Sequence, residues 1–245
     1  MNLLDAMKDI IKHTGSLGFF EMIKIMGTNT TAKLETKDAD NTVIMYGEMY
    51  QPIKGIDSTI GLSRLAILKG YIGIHESSDV SIVAEQRGNT TVPTEIVFDN
   101  KDGLTANYRF MSEAMINDQV KVPPFKGATW DVNITPEKKA INLLNDNFGV
   151  LGSYEKRCIV SVHKGTLNFS IGAGPTDRVN VPFAKNVTGT LKHQWSYPLT
   201  QLLSILKLSD TASSCTMSIS DMGALKIDID SGIGKYSYIL PAARA

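Results

Sequence analysis

The sequence predicts an α+β protein built from two similar domains, each with antiparallel strands and two helices. Three observations predict this fold class. Amphipathic helical segments are few, the rest of the chain is mostly short alternating runs bounded by Gly, Asn, Asp and Ser, and the order of elements repeats once. A chain of 245 residues, 42% of them hydrophobic, is long enough to bury a core in each half.

The repeat consists of four pairs of segments in the same order. LSRLAILK (62–69) matches TQLLSILK (200–207), and a Ser-Ser pair then opens a strand-like run at Ser77 and again at Ser213. EIVFDN (95–100) matches KIDIDS (226–231), and TANYRFM (105–111) matches KYSYILP (235–241). We therefore expect a first domain at 1–111, a connector at 112–128 and a second domain at 129–245. Pro123-Pro124 favours an extended, exposed connector.

Four helices are predicted from apolar stripes and from their start and stop signals. The first has its stripe at residues 3, 4, 7, 10 and 11. The second spans Thr59–Lys69. The third has Thr135 as a cap, Pro136 in its first turn and Gly149 at its end, and the fourth begins at Pro198.

The candidate catalytic and metal-binding residues are scattered along the sequence. Cys158 and Cys215 have no metal-ligand spacing and are expected to be buried thiols. The four histidines form no metal-binding pattern, and Gly172–Pro175 is expected to be a plain turn. Asp228 and Asp230 alternate with isoleucines, as on the solvated face of a strand. We expect no enzymatic activity, no cofactor and no metal.

The polar faces of the predicted helices carry more cations than acids, although the chain has 25 Lys and Arg against 25 Asp and Glu. Lysines, amides and hydroxyls on one helix face suit phosphate oxygens, which proteins contact without reading base sequence. An ordinary solvated helix surface is the alternative interpretation. The candidate DNA-binding residues are Lys8, Lys12, Arg64, Lys69, Lys138, Lys139 and Lys207.

The C-terminal sequence resembles a known family. A helix ending in ILK, a strand-forming SSCTMSI and then GALKIDIDSGIGKYSYILPAAR resemble the closing third of the trimeric DNA sliding clamps, which include proliferating cell nuclear antigen and the phage T4 clamp. The resemblance is best over 195–244 and thinner, but collinear, over the first half. The divergence of the first half from the cellular proteins favours a viral or phage origin. We expect an intracellular protein, located in the host cytoplasm if it comes from a phage and otherwise wherever replication occurs.

The resemblance implies a DNA polymerase processivity factor. Such clamps are homotrimeric rings that encircle double-stranded DNA, with helices lining the hole, and they bind a DNA polymerase and a clamp loader. Lys69 and Lys207 match lysines that face DNA in the family. Subunits pair through strand edges, which match Thr105–Met111 and Arg178–Ala184.

The family also implies a site for partner peptides beside the connector and the C-terminal strand. The matching positions are Val122, Pro124, Phe125, Tyr238, Leu240 and Pro241, and an exposed apolar group there would mark a protein-binding site. A packed terminal strand is the alternative at Tyr238. The alternative for the whole chain is a β-rich viral structural or assembly protein with no role in DNA binding.

Overall fold

The computed structural model describes residues 1–75, 79–100, 103–172, 175 and 177–244. In these residues the chain is a mixed α+β fold with five α-helices and mainly antiparallel sheets, as the sequence predicts. Ser77 and Ser78 of the repeat, and Ala173 and Gly174 of the predicted turn, lie outside the described residues.

The chain divides into two compact units. The first contains Met1–Ala39, Met45–Pro123 and Ile233–Tyr236. The second contains Asp40–Ile44, Pro124–Gly232 and Ser237–Ala245. Each unit therefore takes in short segments from distant parts of the sequence.

The first unit holds three helices and most of seven strands. The helices are α1 (Leu3–His13), α2 (Leu65–Ile74) and α3 (Glu113–Gln119). The strands are β1 (Met22–Gly27), β2 (Ala32–Lys37), β3 (Ile44–Met49), β4 (Thr59–Ser63), β5 (Asp79–Arg87), β6 (Thr90–Asp99) and β7 (Thr105–Arg109). Strands run in the order β4-β1-β2-β3 in one sheet and β5-β6-β7 in another.

Helix α1 confirms the first predicted helix. Asn2 caps it by accepting a hydrogen bond from the backbone N–H of Leu4 at 2.9 Å. Its apolar stripe is buried, and so are two polar residues, Asp9 and His13. The phenol of Tyr236 donates a hydrogen bond to Asp9 Oδ2 at 2.7 Å, and its ring stacks on His13 at 4.2 Å.

The predicted helix at Thr59–Lys69 is wrong in its first half. Thr59–Ser63 is strand β4, because Ile60 and Leu62 pair with β1 and fill the core. Helix α2 begins only at Leu65, after Arg64 adopts a left-handed conformation with φ of 51°. The short alternating run fits the period of a strand, and the left-handed residue separates it from the helix.

The predicted connector contains a helix. Ser112 caps α3 by accepting a hydrogen bond from Met115 N, and Ile116 and Val120 are buried on one side of it. Ile116 packs against Gly61 of β4, where an added Cβ would lie 2.7 Å from the Ile116 side chain. Regular structure ends at Gln119, and most of residues 121–127 are exposed, so the prediction of an extended connector is wrong for its first part.

The second unit holds two helices and the remaining strands, apart from the first three residues of β15. The helices are α4 (Lys138–Leu151) and α5 (Leu199–Leu206), which pack against each other. The strands are β8 (Val132–Ile134), β9 (Arg157–His163), β10 (Thr166–Ile171), β11 (Val179–Ala184), β12 (Trp195–Pro198), β13 (Ser214–Ser220), β14 (Ala224–Asp230), β15 (Gly234–Pro241) and β16 (Ala243–Arg244). One sheet has the order β11-β10-β9-β12-β16, and in the other β14 lies between β15 and β13, with β8 outermost.

The ends of α4 differ from those predicted. Glu137, not Thr135, is the N-cap residue, and Gly149 lies inside the helix. The helix continues to Leu151 because the amide of Gly152 still donates to the carbonyl of Phe148 at 2.6 Å. Helix α5 begins directly after Pro198, as predicted. Strand β14 buries Ile227 and Ile229 and leaves Asp228 and Asp230 partly exposed, which confirms the predicted alternation.

Candidate nucleic-acid interface

In the first unit, the four predicted DNA-binding cations lie on α1 and at α2. These helices pack against each other. Lys8 and Lys12 are half-buried on α1, whereas Arg64 and Lys69 are exposed. The acids of α1 differ from each other, because Asp5 is exposed while Asp9 is buried and accepts the hydrogen bond of Tyr236. Asp9 therefore adds no negative charge to the exposed surface of α1.

In the second unit, Lys138 and Lys139 lie on α4, and Lys207 lies directly after α5. Lys138 Nζ lies 3.0 Å from Asp210 Oδ1, in the 3-10 helix that follows α5, and Lys207 is exposed where that turn begins. Lys139 instead lines a groove beside the end of β11. Successive helical residues point about 100° apart, and Lys138 and Lys139 accordingly lie beside different parts of the unit.

The groove beside Lys139 has a volume of about 610 Å³. Residues from α4 and its preceding segment form one wall, among them Ile134, Ala140 and Leu143, and residues 182–186 form the other. Leu143 is 42% exposed and Val150, further along the same helix, is 75% exposed. This side of the second unit thus combines an apolar helix surface with the neighbouring strand β11.

Both strand segments that the resemblance assigns to subunit contacts lie at sheet edges. Strand β7 pairs with β6, and β11 pairs with β10; within the described residues neither strand has a second neighbour in its sheet. Helix α2 packs beside β7, as α4 packs beside β11. Helix α2 exposes Ile67 and Ile74, the latter by 74%.

The side chains of β7 are mainly polar, whereas those of β11 are mainly apolar. Thr105 donates a hydrogen bond to Asp99 at 2.6 Å, and Asn107 donates one to Glu95 at 3.1 Å. Tyr108 points inward and donates a hydrogen bond to the carbonyl of Ser63, and its burial raises the pKa of its phenol to about 12. Strand β7 is thus held in place by hydrogen bonds within its own unit.

The predicted partner site is exposed at the connector and buried in the terminal strand. Val122 is half-buried, Pro124 and Pro241 are exposed, and Phe125 is 41% exposed. Tyr238 and Leu240 are completely buried, because β15 turns these side chains into the core. The expectation of an exposed apolar group at Tyr238 and Leu240 is therefore wrong, and the packed terminal strand describes them.

Two residues that sequence reasoning missed surround Phe125. The ring of Trp130 stacks on Phe125 at 6.0 Å, and Lys226 Nζ lies 5.2 Å from the centre of the Trp130 ring. Lys226 also forms an ion pair with Asp228 at 2.6 Å. The available signal for this cluster was a pair of large aromatic residues five positions apart, one in the predicted connector and one just after it.

A hydrogen-bonded carboxylate fixes the loop before β12. Asp221 accepts hydrogen bonds from the amides of Lys192 and His193 at 2.7 and 2.9 Å, and its second oxygen lies 3.0 Å from His193 Nδ1. Burial opposes its ionisation, but these hydrogen bonds outweigh that effect and lower the pKa of the Asp221 carboxyl. The arrangement stabilises the loop.

Nothing in the described part of the chain forms a metal centre, since no three His, Cys, Asp or Glu side chains are grouped to hold an ion. Cys158 and Cys215 are buried free thiols, as predicted. Burial raises the pKa of Cys158 to about 12, and burial together with the nearby Asp228 raises the pKa of Cys215 to about 11. Both thiols are thus poor nucleophiles.

Comparisons with known proteins add no assignment. No model of a known protein family matches the chain, and no curated protein matches it. In the described residues, no helix combines the length and the apolar character needed to cross a bilayer.

Proposed function

We propose that this protein is a DNA sliding clamp, a homotrimeric ring that encircles duplex DNA and tethers a DNA polymerase to it. The observation that carries the proposal is the pair of edge strands β7 and β11. They lie in different units of the chain, and each has beside it a helix that exposes apolar side chains. Two different unpaired strand edges on one chain suit head-to-tail association. Such association closes into a ring when the rotation that relates successive subunits is a whole fraction of a full turn.

Pairing of β7 with β11 of the next copy would satisfy two open edges at once. Such pairing continues a sheet across the contact and removes edges that otherwise promote aggregation. Ile67 and Ile74 of α2 would then lie near Leu143 and Val150 of α4, so that exposed apolar surface on both sides becomes buried. Each subunit contributes one edge of each kind, and three subunits form three identical contacts.

The proposed DNA-facing surface consists of the exposed cations at the helices. Lys69 and Arg64 supply it in the first unit, and Lys207 supplies it in the second. Lys138 contributes less, because Asp210 already pairs with it. Cations on a helix surface bind phosphates without reading sequence, which allows sliding.

The proposed partner site is the cluster of Phe125, Trp130 and Lys226. Its rings are partly exposed and are held by stacking and by the cation above Trp130. Aromatic side chains of this kind act as anchors in protein interfaces. Tyr238 and Leu240 are buried and are not part of this proposed site.

The experiment tests topological retention on DNA without a loader. A linear duplex is fixed to a bead at one end, the protein is added at low salt, and the free end is then blocked with a bound antibody. A ring of three chains, with a mass of about three times 26.7 kDa by light scattering, should stay bound through a wash at about 1 M salt, where electrostatic contacts are screened. Cutting the duplex with a restriction enzyme should release it.

A pair of matched double variants tests the cations. Lys69→Glu with Lys207→Glu should reduce capture at low salt by about tenfold while leaving the particle mass unchanged. Lys33→Glu with Lys164→Glu makes the same charge change at exposed residues outside the helices and should capture DNA like the original protein. A monomeric particle, or loss of all protein in the salt wash despite blocked ends, refutes the ring.

A further inference from the structure

Strand β5 has one side without a neighbouring strand in the described structure. It pairs with β6 in antiparallel register, from Asp79 opposite Asp99 to Arg87 opposite Thr90. The residues that the structure describes place no strand along its other side. Its side chains are exposed or half-buried along the whole strand. Its main-chain groups on the open side are therefore available for pairing.

The second unit contains a counterpart of β5 whose equivalent edge is covered. Strand β13 follows α5 as β5 follows α2, and it pairs with β14 on one side. On the other side it pairs with β8, which places Ile134 opposite Met217 and Val132 opposite Ile219. The covering strand is antiparallel and has the sequence Val132-Asn133-Ile134, apolar, polar, apolar.

The registers of the two units establish which residues correspond. Ile82 is opposite Ile96 in the first unit, as Met217 is opposite Ile227 in the second. Both Ile82 and Met217 are the inward positions of their strands. A strand that covers β5 as β8 covers β13 would therefore place an apolar residue opposite Ile82.

The charges at the start of β5 favour a cation on that covering strand. Asp79 lies directly opposite Asp99, and both carboxylates are exposed. Like charges opposite each other destabilise a sheet, whereas an opposite charge on an adjacent strand stabilises it. The equivalent pair in the second unit is Ser214 opposite Asp230, with only one carboxylate. The first unit thus has an acidic pair where its counterpart has a neutral residue and an acid.

We propose that the open edge of β5 binds an extended segment of another polypeptide in antiparallel orientation. The segment has an apolar residue opposite Ile82 and, three residues later, a Lys or Arg opposite Asp79. Main-chain hydrogen bonds would supply the affinity, and the apolar residue and the cation would supply the specificity. This binding surface is separate from β7 and β11 and does not depend on ring formation.

The test uses a labelled synthetic peptide, acetyl-Thr-Val-Asn-Ile-Thr-Ser-Lys-Thr-amide, and the full-length protein. We expect weak binding by fluorescence anisotropy, with a Kd of about 0.1 to 1 mM. Asp79→Lys should weaken binding by about three- to tenfold, and a peptide with Glu in place of Lys should bind this variant better than it binds the original protein. Glu48→Lys, the same charge change at an exposed residue of β3 in the other sheet of the unit, should leave the affinity unchanged.

Two further outcomes distinguish strand pairing from simple charge attraction. A peptide with N-methyl groups on alternate amides keeps its charge but cannot pair, and it should not bind. Equal binding of the methylated peptide, no binding of the original peptide at about 5 mM, or equal affinity for Asp79→Lys each overturn the proposal. Pairing of two β5 edges with each other also overturns it, and would appear as self-association that the peptide reverses.

Discussion

The hydrogen bond between Tyr236 and Asp9 predicts a measurable loss of stability in Tyr236→Phe. The substitution removes one oxygen and keeps the ring that stacks on His13. The phenol donates to a carboxylate that is only 8% exposed, at 2.7 Å, so its removal deletes a hydrogen bond to a buried group. A hydrogen bond to a charged group contributes about 1.5 to 3 kcal/mol. His13 Nδ1 remains 3.3 Å from the other carboxylate oxygen and still stabilises Asp9. We therefore expect the free energy of unfolding to fall by about 2 kcal/mol.

Tyr197→Phe is the matched control for this prediction. The Tyr197 hydroxyl is also buried, but no hydrogen-bond partner for it lies among the described residues. Its removal should leave the free energy of unfolding unchanged or raise it by up to about 1 kcal/mol. Urea unfolding followed by circular dichroism measures both variants, and Tyr236→Phe should also lower Tm by about 4 to 8 °C. Equal effects of the two substitutions would refute the role assigned to Asp9.

Two further predictions concern buried titratable groups. Burial raises the pKa of Tyr108 to about 12, so the unfolded chain loses this proton first and stability should fall by about 2 to 3 kcal/mol as pH rises from about 10 to 12. In Tyr108→Phe this fall in stability should be absent when the urea midpoints are compared across the same pH range. The same dependence of the midpoint on pH in both proteins would contradict the prediction. Cys158 and Cys215 should react with a thiol reagent at pH 7.5 at least about a hundredfold more slowly in the native protein than in urea. Rapid labelling of the folded protein would show that one of these sites opens.

The sequence predicted the elements whose pattern is regular along their whole length. The stripe of α1 repeats at helical spacing, and the alternation in β14 places Ile227 and Ile229 on one face, so each pattern has one structural solution. The start of α2 was missed because Thr59–Ser63 is short and contains Ile60 and Leu62, which suit a strand or a helix equally. Pairing with β1 decides between them, and that information is not local.

The candidate sites were less predictable, because exposure depends on contacts between distant residues. The helical pattern places Asp9 among the polar residues of α1, yet Tyr236 binds it in the core. Tyr238 is a second example. The alternation around it predicts a strand, but it does not predict that both faces of β15 are buried near the C-terminal end of that strand. The edge positions of β7 and β11 follow from sheet order, which no single segment encodes.

The contact between Gly61 and Ile116 has a consequence for any protein that grips the connector. Since no side chain fits at Gly61, helix α3 lies directly on the backbone of β4 and cannot shift without opening the core there. A force applied at Phe125 therefore reaches α3 through only the six residues that follow Gln119, which span at most about 20 Å at roughly 3.3 Å per extended residue. Glycines inserted into this segment would let a partner bound at Phe125 move over a larger distance while α3 stays in place.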